Sequence, residues 1–267
     1  MQDAELRELI TFAGSLADAA RDVIRPHFRA PLAVENKKEG GEFDPVTIAD
    51  RDAENIIRER IMEKYPEHGI LGEEFGHTLS RNGFTWCIDP IDGTRAFITG
   101  VPQWGVLIAL FEDETPVLGI MDQPYTGERF TGSRFGATLT QGARTTRLRT
   151  RACAGLDGAV LTTTHPGAFG KKSEHEAYLR VAAQTRLHRY GGDCYAYAML
   201  AHGLIDLVIE TALQPYDIQA LIPIIEAAGG VITNWRGGPA HHGGQVIAAG
   251  DARLHAAALA IVQPDAE

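Results

Sequence analysis

Apolar residues at Leu6, Leu9, Ile10, Ala13, Leu16, Ala17, Ala20 and Ile24 recur at helical spacing and predict one buried helix face. Pro26 lies just beyond them and closes that helix. A second helix is predicted from Thr47, where Thr47-Ile48-Ala49-Asp50 fits a capping box; its apolar face is Ala53, Ile56, Ile57 and Ile61, and Pro66 ends it. Between the two, the Gly-, Lys- and Glu-rich stretch 36–42 reads as a mobile loop.

From Trp86 the pattern changes to short apolar runs of strand type. Residues 86–88, 106–111 and 117–121 are the clearest, with a hairpin turn at Glu112-Asp113-Glu114 between the last two. Glycine-punctuated segments as far as Gly142 continue as an antiparallel meander, and the basic, polar stretch 144–151 reads as a junction between halves 1–143 and 144–267. The second half alternates. Strands are predicted at 159–163, 205–210, 231–233 and 245–249, and helices at 194–202, 217–228 and 252–262, the middle one stopped by Gly229-Gly230. Pro223 interrupts that helical pattern and predicts a widened or kinked turn. The class is α/β in layers, with a mostly antiparallel first sheet and a smaller second one.

Composition adds limits. The chain has 267 residues, 44% hydrophobic and 22% charged, which is ordinary globular material. At that length it buries on the order of 70–75% of its unfolded surface, so it folds without a staple. The formal charge of −10 argues against nucleic acid or an anionic membrane as the main partner. Cys87, Cys153 and Cys194 are too few and too far apart for a disulfide framework or a zinc knuckle. The N-terminus carries no apolar signal core, and no run approaches the roughly 18 apolar residues of a membrane span, so a cytoplasmic location is expected.

Serine-hydrolase, phosphate-loop, dinucleotide and zinc-protease motifs are all missing, and His241-His242 in its glycine-rich loop reads as solvated. What stands out instead is acid. Gly72-Glu73-Glu74, Asp89-Pro90-Ile91-Asp92-Gly93-Thr94 and Tyr216-Asp217 each put carboxylates at the junction of one element with the next. In the second segment, Pro90 stiffens a turn that aims Asp89, Asp92 and the Ile91 carbonyl at one point. An all-oxygen set of this kind suits Mg²⁺ or Mn²⁺. Gly93 lets the backbone approach a phosphate closely, and a short helix beginning near Thr94 would turn its first N–H groups toward it. Thr94 is placed to orient a water, so these residues point to metal-assisted phosphoryl hydrolysis. Taken singly, each acidic segment also reads as an ordinary turn or solvated surface, and Asp50 as a capping carboxylate.

Together the three segments, with Val46-Thr47-Ile48-Ala49-Asp50 upstream and Ala228-Gly229-Gly230 downstream, resemble the inositol monophosphatase-like family of Mg²⁺-dependent phosphatases over nearly the whole chain. The resemblance implies a layered α-β-α-β-α sugar-phosphatase fold, a homodimer, and two or three Mg²⁺ per site with Mn²⁺ as a substitute. It implies that Glu73, Asp89 and the Ile91 carbonyl hold one metal, and Asp89, Asp92 and Asp217 a second. Glu73 and Thr94 would activate the attacking water, Asp50 would tune Thr94 through a hydrogen bond, and Gly93 and Thr94 would bind phosphate through their backbone. Tyr216 departs from the tryptophan usual there, at a position that packs rather than coordinates.

Within the family, the segment from Arg95 to Trp104 and Gly191-Gly192-Asp193-Cys194-Tyr195-Ala196-Tyr197 look like the histidinol-phosphatase branch. Asp193 beside Glu210 at the family's substrate position would favour a cationic amine through charge-assisted hydrogen bonds. Arg189 would orient Asp193 or reach the phosphate. The bland readings are an N-cap for Asp193 and a strand-end acid for Glu210. The expected substrate is therefore a small phosphate monoester, L-histidinol phosphate. The alternatives are an inositol-1-phosphatase or broad sugar and polyol phosphatase, a bisphosphate nucleotidase, for which no second basic cluster is present, and a non-catalytic dimer, which a missing ligand would have favoured.

Overall fold

The computed structural model describes residues 1–31, 33–36 and 45–267. The loop predicted at 36–42 lies, beyond Asn36, outside the described residues. Helix α1 (Asp3–Ile24) buries the stripe predicted for it and ends one residue before Arg25-Pro26. Strands β1 (Val34–Asn36) and β2 (Pro45–Thr47) pair antiparallel and lead into α2 (Ile48–Lys64). The capping box is formed: Thr47 Oγ1 accepts from the Ala49 N–H at 3.2 Å, and Asp50 accepts from the Thr47 N–H at 2.9 Å.

Next come β3 (Gly69–Gly72), β4 (Gly76–Thr78), β5 (Phe84–Asp92), α3 (Thr94–Ile98), β6 (Gly105–Glu112), β7 (Thr115–Gln123), β8 (Glu128–Ser133), β9 (Gly136–Gln141) and β10 (Arg144–Arg147). They form an eight-stranded sheet in the order β10-β9-β8-β7-β6-β5-β3-β4, antiparallel except where β3 meets β5. Asp113, with φ of 56°, makes the predicted hairpin turn between β6 and β7. One expectation changes here. Residues 144–147 of the predicted junction are the outer strand β10, because they pair with β9, so the first sheet runs past residue 143.

The second half contains β11 (Val160–Thr163), α4 (Lys172–Ala182), β12 (Leu187–Tyr190), α5 (Asp193–Ala201), β13 (Leu207–Leu213), α6 (Pro215–Ile218), α7 (Leu221–Ala227), β14 (Val231–Asn234), β15 (Gly244–Ala249) and α8 (Ala252–Val262). Its sheet has the order β12-β11-β13-β15-β14. Helix α4 and strand β12 join the predicted elements. The single helix predicted over 217–228 is instead two helices with a break at 219–220. Pro223 explains the break: it has no N–H to donate, and restarting at Leu221 places it in a first turn, where none is needed.

Three apolar cores separate five layers. Helices α1 and α2 cover one face of the large sheet through Leu16, Ile57, Trp86 and Ile108. Helices α5 and α7 fill the space between the two sheets, with Leu107, Met121, Leu200, Ile224 and Val246. Helices α4 and α8 close the outer face of the small sheet over Leu161, Tyr178, Trp235 and Leu254. This is the α-β-α-β-α arrangement.

Candidate functional site: a carboxylate cluster beside an acidic cavity

Strand β5 alternates as a buried strand should, with Trp86 and Ile88 in the α1–α2 core and Cys87 in the core between the sheets. By that alternation Asp89 and Asp92, three residues apart, would point to opposite faces. They do not, because the ladder with β6 shifts there: Asp89 pairs Leu107 but Asp92 pairs Gly105. One extra residue in β5 makes a bulge, and the bulge re-aims a side chain. Pro90, which has no ladder N–H to lose, sits within it. The motif is therefore a bulged strand end, where the sequence predicted a turn. Its effect is to bring ligand oxygens of Asp89, Asp92 and Asp217 within 4.8 Å of one another.

Asp217 reaches the cluster from α6, where its carboxylate also accepts the Gln214 N–H at 2.7 Å. Burial pushes the Asp89 carboxyl well up, with the charges of Glu73, Asp92 and Asp217 adding to it. Asp92 is raised by burial and by Asp193 and Asp217, and Asp217 is pushed up to about 7, first by burial. Mutually repelling, poorly hydrated carboxylates with oxygen donors alone are the donor set that a hard divalent cation satisfies. The Ile91 carbonyl, on the same bulge, accepts the Thr94 hydroxyl at 3.0 Å. Glu73 follows β3 directly and is held to β5 by its N–H to the Ile88 carbonyl at 3.3 Å.

Gly93 joins β5 to α3 with φ of 85°, and a Cβ there would come within 2.8 Å of the Gln103 carbonyl. The first intrahelical bond of α3 runs from the Phe97 N–H to the Gly93 carbonyl, so the N–H groups of 93–95 precede it. These residues line a cavity of about 490 Å³ together with Asp92, Asp193, Glu210 and Asp217. Two acids of the cluster, Asp92 and Asp217, and the predicted substrate carboxylates thus line one cavity.

Glu210 is buried and pinned: its carboxylate accepts the Thr164 N–H at 2.8 Å, the Thr164 hydroxyl and, on its other oxygen, the Tyr197 hydroxyl at 2.9 Å. Asp193 enters the cavity by an unusual route. Gly191, Gly192 and Asp193 have consecutive positive φ values of 87°, 131° and 44°, the last strained for a residue with a side chain. Helix α5 takes Gly192 as its N-cap, so Asp193 stands in the first turn rather than at the cap position expected for it. Burial, then the charge of Glu210, pushes its carboxyl up to about 7, eased by Arg95.

Two expectations fail. Arg189 lies exposed on β12, the outer strand of the small sheet, outside the cavity lining. Strand β12 is exposed along its whole length at the edge of the small sheet. Thr94 gives its hydroxyl hydrogen to the Ile91 carbonyl rather than to Asp50, which itself takes two hydrogen bonds from Thr47. Other contacts had no readable signal. The Cys194 N–H donates to Asp92 at 2.5 Å, tying α5 to the bulge, and His165, Phe169 and Thr211 complete the cavity. These meetings depend on chain crossings far apart in sequence.

The profile of the inositol monophosphatase family matches residues 5–266. A bifunctional phosphatase, IMPL2, of Arabidopsis thaliana is 42% identical over 97% of this chain and 76% of its own length. A histidinol-phosphatase of Mycobacterium tuberculosis is 33% identical over 90% of this chain and 92% of its own. Among solved structures, that of an inositol monophosphatase from Zymomonas mobilis superposes with a TM-score of 0.85 at 40% identity, covering 98% of this chain and all of that one.

Proposed function

The chain belongs to the inositol monophosphatase family, and within it we propose a Mg²⁺-dependent hydrolysis of L-histidinol phosphate to L-histidinol and phosphate. The observation that carries this reading is the shared cavity: Asp193 and Glu210 line the same space as Gly93, Thr94 and Arg95. The helix-start backbone suits a phosphate, and the two carboxylates suit a cation. A protonated amine would relieve the Asp193–Glu210 repulsion through charge-assisted hydrogen bonds, and neutral inositol hydroxyls would do so far less.

Glu73, Asp89 and the Ile91 carbonyl would hold one ion, and Asp89, Asp92 and Asp217 another. Bound there, divalent ions lower the pKa of coordinated water and offset charge on the phosphoryl oxygens. The chain's own groups do the rest. Glu73 would accept the proton of the attacking water, Thr94 would orient that water through a lone pair of its hydroxyl oxygen, and Asp50 caps α2. Gly93, Thr94 and Arg95 hold the phosphate. The relative named histidinol-phosphatase supports this substrate. The similarity to a structure titled inositol monophosphatase favours a second reading, a polyol phosphatase with the same chemistry. Phosphate release from L-histidinol phosphate, assayed with Mg²⁺ and then with a chelator, tests the proposal. Turnover that needs the ion supports it; no release with the ion present overturns it.

A further inference from the structure

Helix α2 buries three charged side chains spaced four residues apart on one face: Asp50, Glu54 and Arg58. Asp50 belongs to the helix cap. Glu54, wholly buried, belongs to no motif of the site, yet both its oxygens are committed to the segment that carries Glu73. One accepts the Glu74 N–H at 2.7 Å; the other accepts the Phe75 N–H at 3.2 Å and Arg58 Nε at 2.6 Å. Arg58 then donates from Nη2 to the Gly76 carbonyl. A single ion pair on a helix thus grips the backbone at 74, 75 and 76.

The segment is fitted to this pair. A Cβ at Gly72 would fall 1.9 Å from Glu54 Oε1 and 2.7 Å from Arg58 Nη2. The glycine before Glu73 is therefore required by the space that Glu54 and Arg58 occupy. On its other side the Glu73 N–H is tied to Ile88 on β5. Without the pair, the N–H groups of 74 and 75 would lose their buried acceptor, although β3 stays paired with β4 and β5 on either side.

We infer that the Glu54–Arg58 pair is a positioning device for Glu73, setting where its carboxylate stands relative to Asp89. The inference rests on the proposed role of Glu73 as a metal ligand. Groups that orient a ligand from behind typically change metal affinity or activity about 10- to 100-fold when altered.

The test uses the full chain and three variants, Glu73→Gln, Glu54→Gln and Arg58→Lys, with Mn²⁺ binding followed by electron paramagnetic resonance and amide hydrogen exchange read by residue. Glu54→Gln is expected to speed exchange at Glu74 and Phe75 selectively and to weaken Mn²⁺ binding about 10- to 100-fold. At saturating metal, KM for L-histidinol phosphate is expected to stay unchanged while kcat falls. Arg58→Lys keeps the charge but loses the planar fork, and carries the same comparison where Glu54→Gln costs the fold. Faster local exchange with wild-type Mn²⁺ affinity would overturn the inference, leaving the pair merely structural. Wild-type Mn²⁺ affinity in Glu73→Gln would overturn the ligand reading itself, and the inference with it.

Discussion

Asp92 shows how a single side chain is placed against its own stability. It is aimed by a bulge, held by the Cys194 N–H and crowded by two other acids. Asp92→Asn keeps the hydrogen bond and removes a charge. Phosphate release is expected to fall by at least about 100-fold, whereas the melting temperature in chelator should not fall, since repulsion is relieved. Wild-type activity would refute its place in the metal site. Asp193→Asn removes the charge that would meet a substrate amine. The kcat/KM for L-histidinol phosphate is expected to drop about 10- to 100-fold, as loss of a charged hydrogen bond implies. The value for inositol 1-phosphate should hardly move. Equal losses on both would assign Asp193 a structural role.

At the scale of elements, α1 is anchored to the large sheet by more than its apolar stripe. Asp122 on β7 is fully buried between Arg21 of α1, at 2.6 Å, and Arg129 of β8, at 2.7 Å. Asp122→Ala leaves two guanidinium groups facing an empty site, and unfolding in urea should show a loss of about 3–5 kcal/mol. A loss under about 1 kcal/mol, the value of a surface pair, would contradict that burial. Helices with caps or prolines were legible in the sequence: α1 stops at Pro26 and α2 starts at its Thr47 box. Short strands that exist through pairing were not. Strand β3 begins and ends in glycine and is made by β5 beside it, while β10 looks like a polar linker until it meets β9. Helix α4 was hidden by a narrow buried stripe, Ala177, Tyr178, Val181 and Ala182, among charged residues. The acids of the site were legible because their identities carry chemistry. The bulge that aligns them, the pinning of Glu210 by Thr164 and Tyr197, and the Glu54–Arg58 grip are tertiary facts with no local pattern.

For the whole molecule, the charge of −10 is unevenly spent, with five acids gathered around one cavity and cluster. Among the described residues, no helix is long and apolar enough to cross a membrane. Asp193 and Asp217 are both pushed up to about 7, above the roughly 3.9 of an exposed aspartate. Between those values the folded chain holds protons that the unfolded chain has released. Without divalent ions, its stability is therefore expected to fall as pH rises from about 4 through about 7. Mg²⁺ should restore it, by about 2.7 kcal/mol at 100 times its Kd. Thermal unfolding with Mg²⁺ and with chelator should accordingly differ more at pH 8 than at pH 5; the reverse order would contradict the charged cluster.

The most direct test of the account compares kcat/KM for L-histidinol phosphate and inositol 1-phosphate on one preparation with Mg²⁺. A cavity that the Asp193–Glu210 pair lines together with the proposed phosphate-binding residues predicts a preference of at least about tenfold for L-histidinol phosphate. Equal values, or a preference for inositol 1-phosphate, would contradict it.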